Sequence, residues 1–188
     1  AHDLSCAVVQ PMLLQQAAVS DEAWLSKTEF EFDRQSIDWR LLLLLSTDSV
    51  ELLRRRCASD EVREKALHAV AVNAAFNASH ARSRWLHRHV RLETLGFQRV
   101  PLNEAIKPED AEMPVAALHS IFTEPLHGHG LLMMPLDTAG ELVGMLMPDS
   151  PAARGEFDEM ACSCLQETAN INLTAFANSQ ANWLEHTT

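Results

Sequence analysis

Polar and apolar positions alternate from Thr28 to Phe32, and Trp39 to Leu45 is a nearly unbroken apolar run. Asp33 to Asp38 between them carries turn chemistry, so the pattern predicts a hairpin whose second strand lies at the centre of a sheet. Thr47-Asp48-Ser49 then offers an N-cap for a short helix over Val50 to Arg56. Asp60 caps a longer helix reaching about His87. Its apolar residues Val62, Leu67, Val70, Phe76 and Trp85 spread over a broad face among alanines.

The same order recurs downstream. Val115 to Thr123 and Gly130 to Pro135 read as strands around the turn Pro125-Leu126-His127-Gly128. Asp137-Thr138 caps a helix over Ala139 to Met147, and Phe157 opens a long helix ending near Trp183-Leu184. Asp48…Glu51-Leu52-Leu53 matches Asp137…Glu141-Leu142-Val143 in type and place, as Ser83-Arg84-Trp85-Leu86 matches Ala181-Asn182-Trp183-Leu184. Each half opens with a strand-like piece, Cys6 to Leu14 and Val90 to Leu102, and the acidic stretch Asn103 to Met113 reads as an exposed connector. These patterns predict an α+β fold. A duplicated unit of three strands, a short helix and a long helix would build an antiparallel sheet packed against two long helices. The 188 residues are expected to form a single domain over 1–188, with half-repeats of about 4–88 and 89–186.

Composition narrows the function. A hydrophobic fraction of 47% with 22% charged residues is that of a globular chain. The net charge of −11 argues against nucleic acid, since Arg54-Arg55-Arg56 and Arg82 to Arg91 are short, interrupted basic clusters. The longest purely apolar run, Leu41 to Leu45, falls far short of the ~20 residues of a membrane span. No basic region followed by an apolar core marks a signal peptide, so a cytoplasmic location is expected, and a start at Ala1 fits processing or trimming. Cys6, Cys57, Cys162 and Cys164 lack a CxxC spacing and read as reduced thiols.

Candidate chemistry is sparse. His87-x-His89 and His127-x-His129 could each offer two imidazoles, but the first ends a helix and the second flanks Gly128 in a turn, so no metal site is assigned. There is no nucleophile elbow, Walker A loop or Gly-rich dinucleotide fingerprint, and Cys164 has no base at a defined spacing. The most specific feature is Ser163, Glu167 and Asn170, spaced four and three apart and continued by Thr174, which form one helical stripe. Ala161, Leu165, Ala169, Leu173 and Phe176 take the core face of the same helix. Glu-x-x-Asn alone is an ordinary solvated pattern; a carboxylate beside a carboxamide can also hold a cationic partner and orient a water.

Ser163-Cys164-Leu165-Gln166-Glu167-Thr168-Ala169-Asn170-Ile171 resembles the signature of the CheC/CheX/FliY family of chemotaxis phosphatases, in which a Ser or Asp precedes a Glu by four and an Asn follows it by three. The lead-in Gly130-Leu131-Leu132-Met133-Met134-Pro135…Glu141-Leu142-Val143-Gly144-Met145-Leu146 is similar to that family's strand and helix, and Val90 to Ile106 to its strand pair. The resemblance covers about Asp60 to His186 and implies a CheC-like fold with pseudo-two-fold symmetry. It implies hydrolysis of the aspartyl phosphate of a CheY-type response regulator in bacterial chemotaxis or two-component signalling. Glu167 would be the docking carboxylate, held by a lysine of the regulator, and Asn170 would position the attacking water. Ser163 would be a supporting contact, with Thr174 on the same binding stripe. The chain itself would bind no cofactor, and Mg²⁺ would arrive with the phosphorylated partner.

Several departures accompany the likeness. Ala169 stands where the family has Gly, and a proline expected further on would fall beyond Thr188. Aligning Asn73 with Asn170 puts Val70 at the Glu position and Ala66 at the Ser position, a degenerate second site that retains only Asn73. The family begins with a signature helix whereas this chain begins with strands, which implies a trimmed helix or a permuted relative. The alternative reading is a non-catalytic CheC-like scaffold, flagellar-switch-like or an adaptor; a small acidic secretion chaperone is a third. Open sheet edges would also allow a homodimer.

Overall fold

The apolar run Leu41–Leu45 closes strand β3 (Gln35–Leu45), which pairs with β2 (Glu22–Phe32) on one side and β6 (Gly128–Pro135) on the other. A computed structural model describes residues 6–7, 22–32, 35–101 and 115–186. With β1 (Cys6–Ala7), β4 (Val90–Pro101) and β5 (Val115–Phe122), these strands form a six-stranded antiparallel sheet in the order β1-β5-β6-β3-β2-β4. β3 is central, as its apolar run requires. The strand order reads the same from either edge when the two halves of the chain are exchanged. The opening strand of each half therefore lies against the hairpin of the other half: β1 on β5, β4 on β2.

The first hairpin is longer than its pattern suggests, since Gln35 to Asp38 belong to β3 rather than to the turn. Ile37 and Trp39 are buried and Ser36 and Asp38, alternating with them, occupy the opposite, solvated sheet face, while Gln35 is exposed at the start of the strand. There Asp38 meets Lys27 at 2.7 Å. Likewise β6 begins at Gly128, two residues before the expected start. Leu95 has no opposite residue on β2, because the register shifts between Lys27 and Thr28, a bulge on the edge strand. The expected connector Asn103 to Met113 and most of Cys6 to Leu14 lie outside the described residues.

Helix α1 (Thr47–Arg56) is capped by Ser46 and α2 (Asp60–Leu86) by Ser59, each hydroxyl accepting from an N–H three residues on. Both caps lie one residue or more before those expected at Thr47–Ser49 and Asp60. Helix α3 (Leu136–Leu146) follows Pro135 without a side-chain cap, so Asp137 sits inside its first turn. After a 3₁₀ turn (Pro151–Arg154), α4 (Glu159–His186) begins with Asp158 Oδ1 accepting from the Ala161 N–H at 2.8 Å.

α2 and α4 lie antiparallel on one sheet face, where Trp24, Phe30, Trp39, Leu43, Leu118 and Leu132 form the core with them. Of the apolar residues expected inside on α2, Leu67 and Val70 are buried, but Val62, Phe76 and Trp85 are exposed. Ala71, Ala74, Ala75 and Ala78 take the inner face instead, and such small side chains let the helix approach its neighbours closely. On α4 the expected face is buried from Ala161 to Phe176. A smaller apolar cluster, Ala23, Leu42, Leu44 and Leu131, lies on the other sheet face by alternation. Among the described residues no helix is long and apolar enough to cross a membrane.

Glycine at position 128 is set by space. A Cβ there would lie 2.2 Å from the Leu44 carbonyl oxygen, on the backbone of β3, whereas one at Gly130 would meet only side-chain atoms of Leu173 and Phe122 at 2.8 Å. Gly128→Ala is therefore expected to lower stability by about 2 kcal/mol or more, and Gly130→Ala by less. Urea unfolding midpoints measure both, and an unchanged midpoint for Gly128→Ala would contradict this packing.

Candidate functional site

α4 turns one stripe towards solvent. Ser163, Glu167 and Thr174 are exposed and Asn170 half-buried, while Ala161, Leu165, Ala169, Leu173 and Phe176 fill the core beneath. Thr174 Oγ1 donates to Asn170 Oδ1 at 3.2 Å, which fixes the amide one turn from its own backbone. Ser163 and Glu167 continue the stripe towards the helix N-terminus. Ala169 has no exposed surface, so the residue that differs from the CheC-type signature points into the core and away from any docked partner.

A buried arginine lies under this stripe. Arg82 of α2 is fully buried; its NH2 donates to the Thr168 carbonyl at 2.8 Å and its guanidinium carbon lies 5.4 Å from the Phe30 ring centroid. Burial pulls its pKa down to about 10, partly offset by the negative charge that Cys164 and Glu167 can carry. Arg82 thus presents a positive potential to the helix turn that carries Glu167. Burial also raises the Cys164 thiol, only partly opposed by Arg82, so Cys164 is a neutral thiol and a poor nucleophile at neutral pH. Asn172, between Asn170 and Thr174 in sequence but on the buried face of α4, lines a cavity of about 30 Å³ with Ser26, Thr28 and Thr94, room for one or two waters.

The two long helices share a burial register. Leu67, Ala71, Ala74, Ala75, Ala78 and Arg82 are buried on α2, and Leu165, Ala169, Asn172, Leu173, Phe176 and Gln180, each 98 positions on, are buried on α4. By this register the counterparts of Glu167, Asn170 and Thr174 are Ala69, Val72 and Phe76. Asn73 is exposed and lies one position beyond Val72, where it accepts from Asn77 at 3.5 Å.

Two features escaped sequence reading. Arg82 looked like part of an interrupted basic cluster, although its spacing from Ala71, Ala75 and Ala78 puts it on the buried helix face. His129 pairs not with His127 but with His119 on the neighbouring strand: His119 Nε2 and His129 Nδ1 are 2.8 Å apart and the ring planes are within 16° of parallel. One ring donates and the other accepts. Only strand register brings them together, and no spacing along the chain signals it. Among the described residues no group of three His, Cys, Asp or Glu side chains could hold a metal ion.

Compared with known proteins, the chain matches no family model, no curated protein and no solved structure.

Burying a guanidinium without a carboxylate costs desolvation that an apolar side chain avoids. Arg82→Met is expected to keep or raise stability, and Arg82→Ala to lose about 2–5 kcal/mol through the cavity it leaves; thermal and urea unfolding of the pair separate the two effects. Burial lowers the pKa of both His119 and His129, and the charge of His129 lowers that of His119 further. The unfolded chain then binds more protons just below the ordinary histidine value, so stability is complete above about pH 6.5 and is lost as pH falls through that window. The urea midpoint should drop more steeply between neutral and mildly acidic pH in the wild type than in His119→Gln/His129→Gln, and equal slopes would refute the pair's role.

Proposed function

We propose that this chain is a divergent phosphatase of the CheC/CheX/FliY type, acting on the aspartyl phosphate of a CheY-type response regulator through α4. The observation that carries the reading is the outward stripe Ser163-Glu167-Asn170-Thr174, with Asn170 held by Thr174. The recurrence of hairpin, short helix and long helix supports a CheC-like duplication. The buried position of Ala169 removes one objection to the signature.

The chemistry follows from the groups available. Phosphoryl transfer passes through a loose transition state, so positioning of water and balancing of charge supply most of the rate. Asn170 Oδ1 has two acceptor positions and Thr174 takes one, leaving the other, with the amide NH₂, to orient a water in line with the phosphorus. The water oxygen bonds to phosphorus as the bond to the aspartyl oxygen breaks, releasing inorganic phosphate and a free aspartate on the regulator. Glu167 meets a lysine of the regulator and fixes the helix across its phosphorylation site, with Ser163 as a further contact. Mg²⁺ bound by the regulator neutralises phosphate charge. On α2, Val72 stands at the amide position and Ala69 at the carboxylate position, so one hydrolytic site operates per chain, on α4.

Mixing the protein with a CheY-type receiver domain phosphorylated by acetyl phosphate in Mg²⁺ should speed phosphate loss. Asn170→Ala should lower that acceleration on the order of 10²-fold, the scale of losing one positioned polar group at a transition state. Glu167→Ala should act mainly by raising the receiver concentration needed. Binding without acceleration would replace the phosphatase reading with a scaffold, and neither binding nor acceleration across several receivers would remove both.

A further inference from the structure

The counterpart of the hydrolytic stripe is apolar. Val72 and Phe76, one turn apart on α2, are 46% and 60% exposed where α4 carries Asn170 and Thr174. The fold therefore does not impose apolar groups at these outward positions. Both line a groove of about 630 Å³ between α2 and edge strand β4, with His80 and His89 on its walls and Arg91 paired to Glu93 along its strand side.

At Val90 and Leu92 the strand side of the groove is closed to strand addition. The Val90 N–H donates to Ser83 Oγ at 2.9 Å and the Leu92 N–H to Ser79 Oγ at 2.8 Å, while Ser83 Oγ donates back to the Val90 carbonyl at 3.2 Å. The Val90 N–H and carbonyl and the Leu92 N–H are thus already bonded to α2. Strand addition would have to break these bonds, and the mode suited to an apolar groove beside a helix is an amphipathic helix laid along it.

Charge selects the kind of helix. The chain has a net charge of −11, yet residues 66–92 contain no Asp or Glu and hold Arg82, Arg84, Arg88 and Arg91. Arg82 is buried and Arg91 is paired with Glu93 and Glu31, while Arg84 and Arg88 are exposed at the C-terminal end of α2, Arg88 lying over the Phe32 ring. The negative end of a helix dipole, roughly half a charge, offsets only part of this. A second copy joined face to face would set basic rim against basic rim.

We propose that the α2–β4 groove docks an acidic amphipathic helix from another protein, with apolar anchors on Val72 and Phe76 and carboxylates towards Arg84 and Arg88. This surface stands independently of the reading of α4. Random peptides of about 16 residues, roughly four helical turns, displayed on phage and selected on the full chain, should enrich for Asp and Glu around apolar residues at helical spacing. Anisotropy of an enriched peptide should show affinity falling about ten-fold or more in Val72→Asp and Phe76→Asp, the scale of losing an interface anchor. It should fall again in Arg84→Glu/Arg88→Glu. These side chains are exposed, so circular dichroism is expected to match the wild type. No enrichment, basic peptides, or binding untouched by the variants would overturn the proposal. So would self-association abolished by Phe76→Asp in sedimentation, which assigns the face to a second copy. Binding to phosphatidylserine vesicles abolished by the same variant would overturn it in favour of a membrane surface.

Discussion

Six residue pairs, from Arg40 opposite Met133 to Leu45 opposite Gly128, join the hairpin of one half of the chain to the hairpin of the other. This ladder makes two small sheets into one, wide enough for two helices of nearly thirty residues to lie on a single face. Its far end is locked by polar contacts. Ser49 Oγ donates to the His127 carbonyl and accepts from the His127 N–H, and the Ser46 N–H reaches the same carbonyl. The start of α1 is thereby bound to the residue that leads into β6. Because the strands come so close there, the position after His127 must be glycine, and the phase of every residue on β6 follows from it.

The helix layer inherits its precision from the sheet. α2 approaches through alanines and α4 through larger side chains, and Arg82 bonds to a backbone carbonyl of the opposite helix. A helix carbonyl is a fixed point, so this bond sets how far α4 can rotate about its axis. Glu167 immediately precedes the residue so held, and the direction of the outward stripe therefore depends on a contact made from below. The two long helices share one burial register yet present different chemistry at corresponding outward positions, polar at Glu167, Asn170 and Thr174 of α4 and apolar at Ala69, Val72 and Phe76 of α2. That contrast is a property of outward residues alone, since the buried positions correspond.

Much of this fold was legible in the chain because periodicity reports burial directly. Leu41 to Leu45 announced a central strand, and Leu165, Ala169, Leu173 and Phe176 gave the phase of α4, hence the outward direction of Ser163, Glu167 and Asn170. What periodicity misjudged was size. Phe76 and Trp85 were expected inside on hydrophobicity, whereas close helix packing reserved the inner face of α2 for alanines. Asp38 looked like a turn residue because local propensity cannot see a solvated sheet face or a lysine on the next strand. The His119–His129 contact and the crossing of β1 and β4 to the opposite halves depend on pairing between distant segments, for which a single sequence carries no local sign.

The crossing of opening strands has a consequence for how the molecule is made. β1 precedes the first hairpin in the chain, yet its partner β5 is synthesised only after both that hairpin and the whole of α2, since Cys6 pairs with Leu118. β2 receives β4 much sooner, directly after the helix that covers it. The two edges of the sheet are thus completed at different times. The edge beside β2 can close as soon as β4 is made, and the edge beside β5 can close only once β5 has been added to the chain. Pairing over such a separation is slow compared with local contacts. In the growing chain β1 is therefore a strand without a sheet, and the last edge to form is the one begun first.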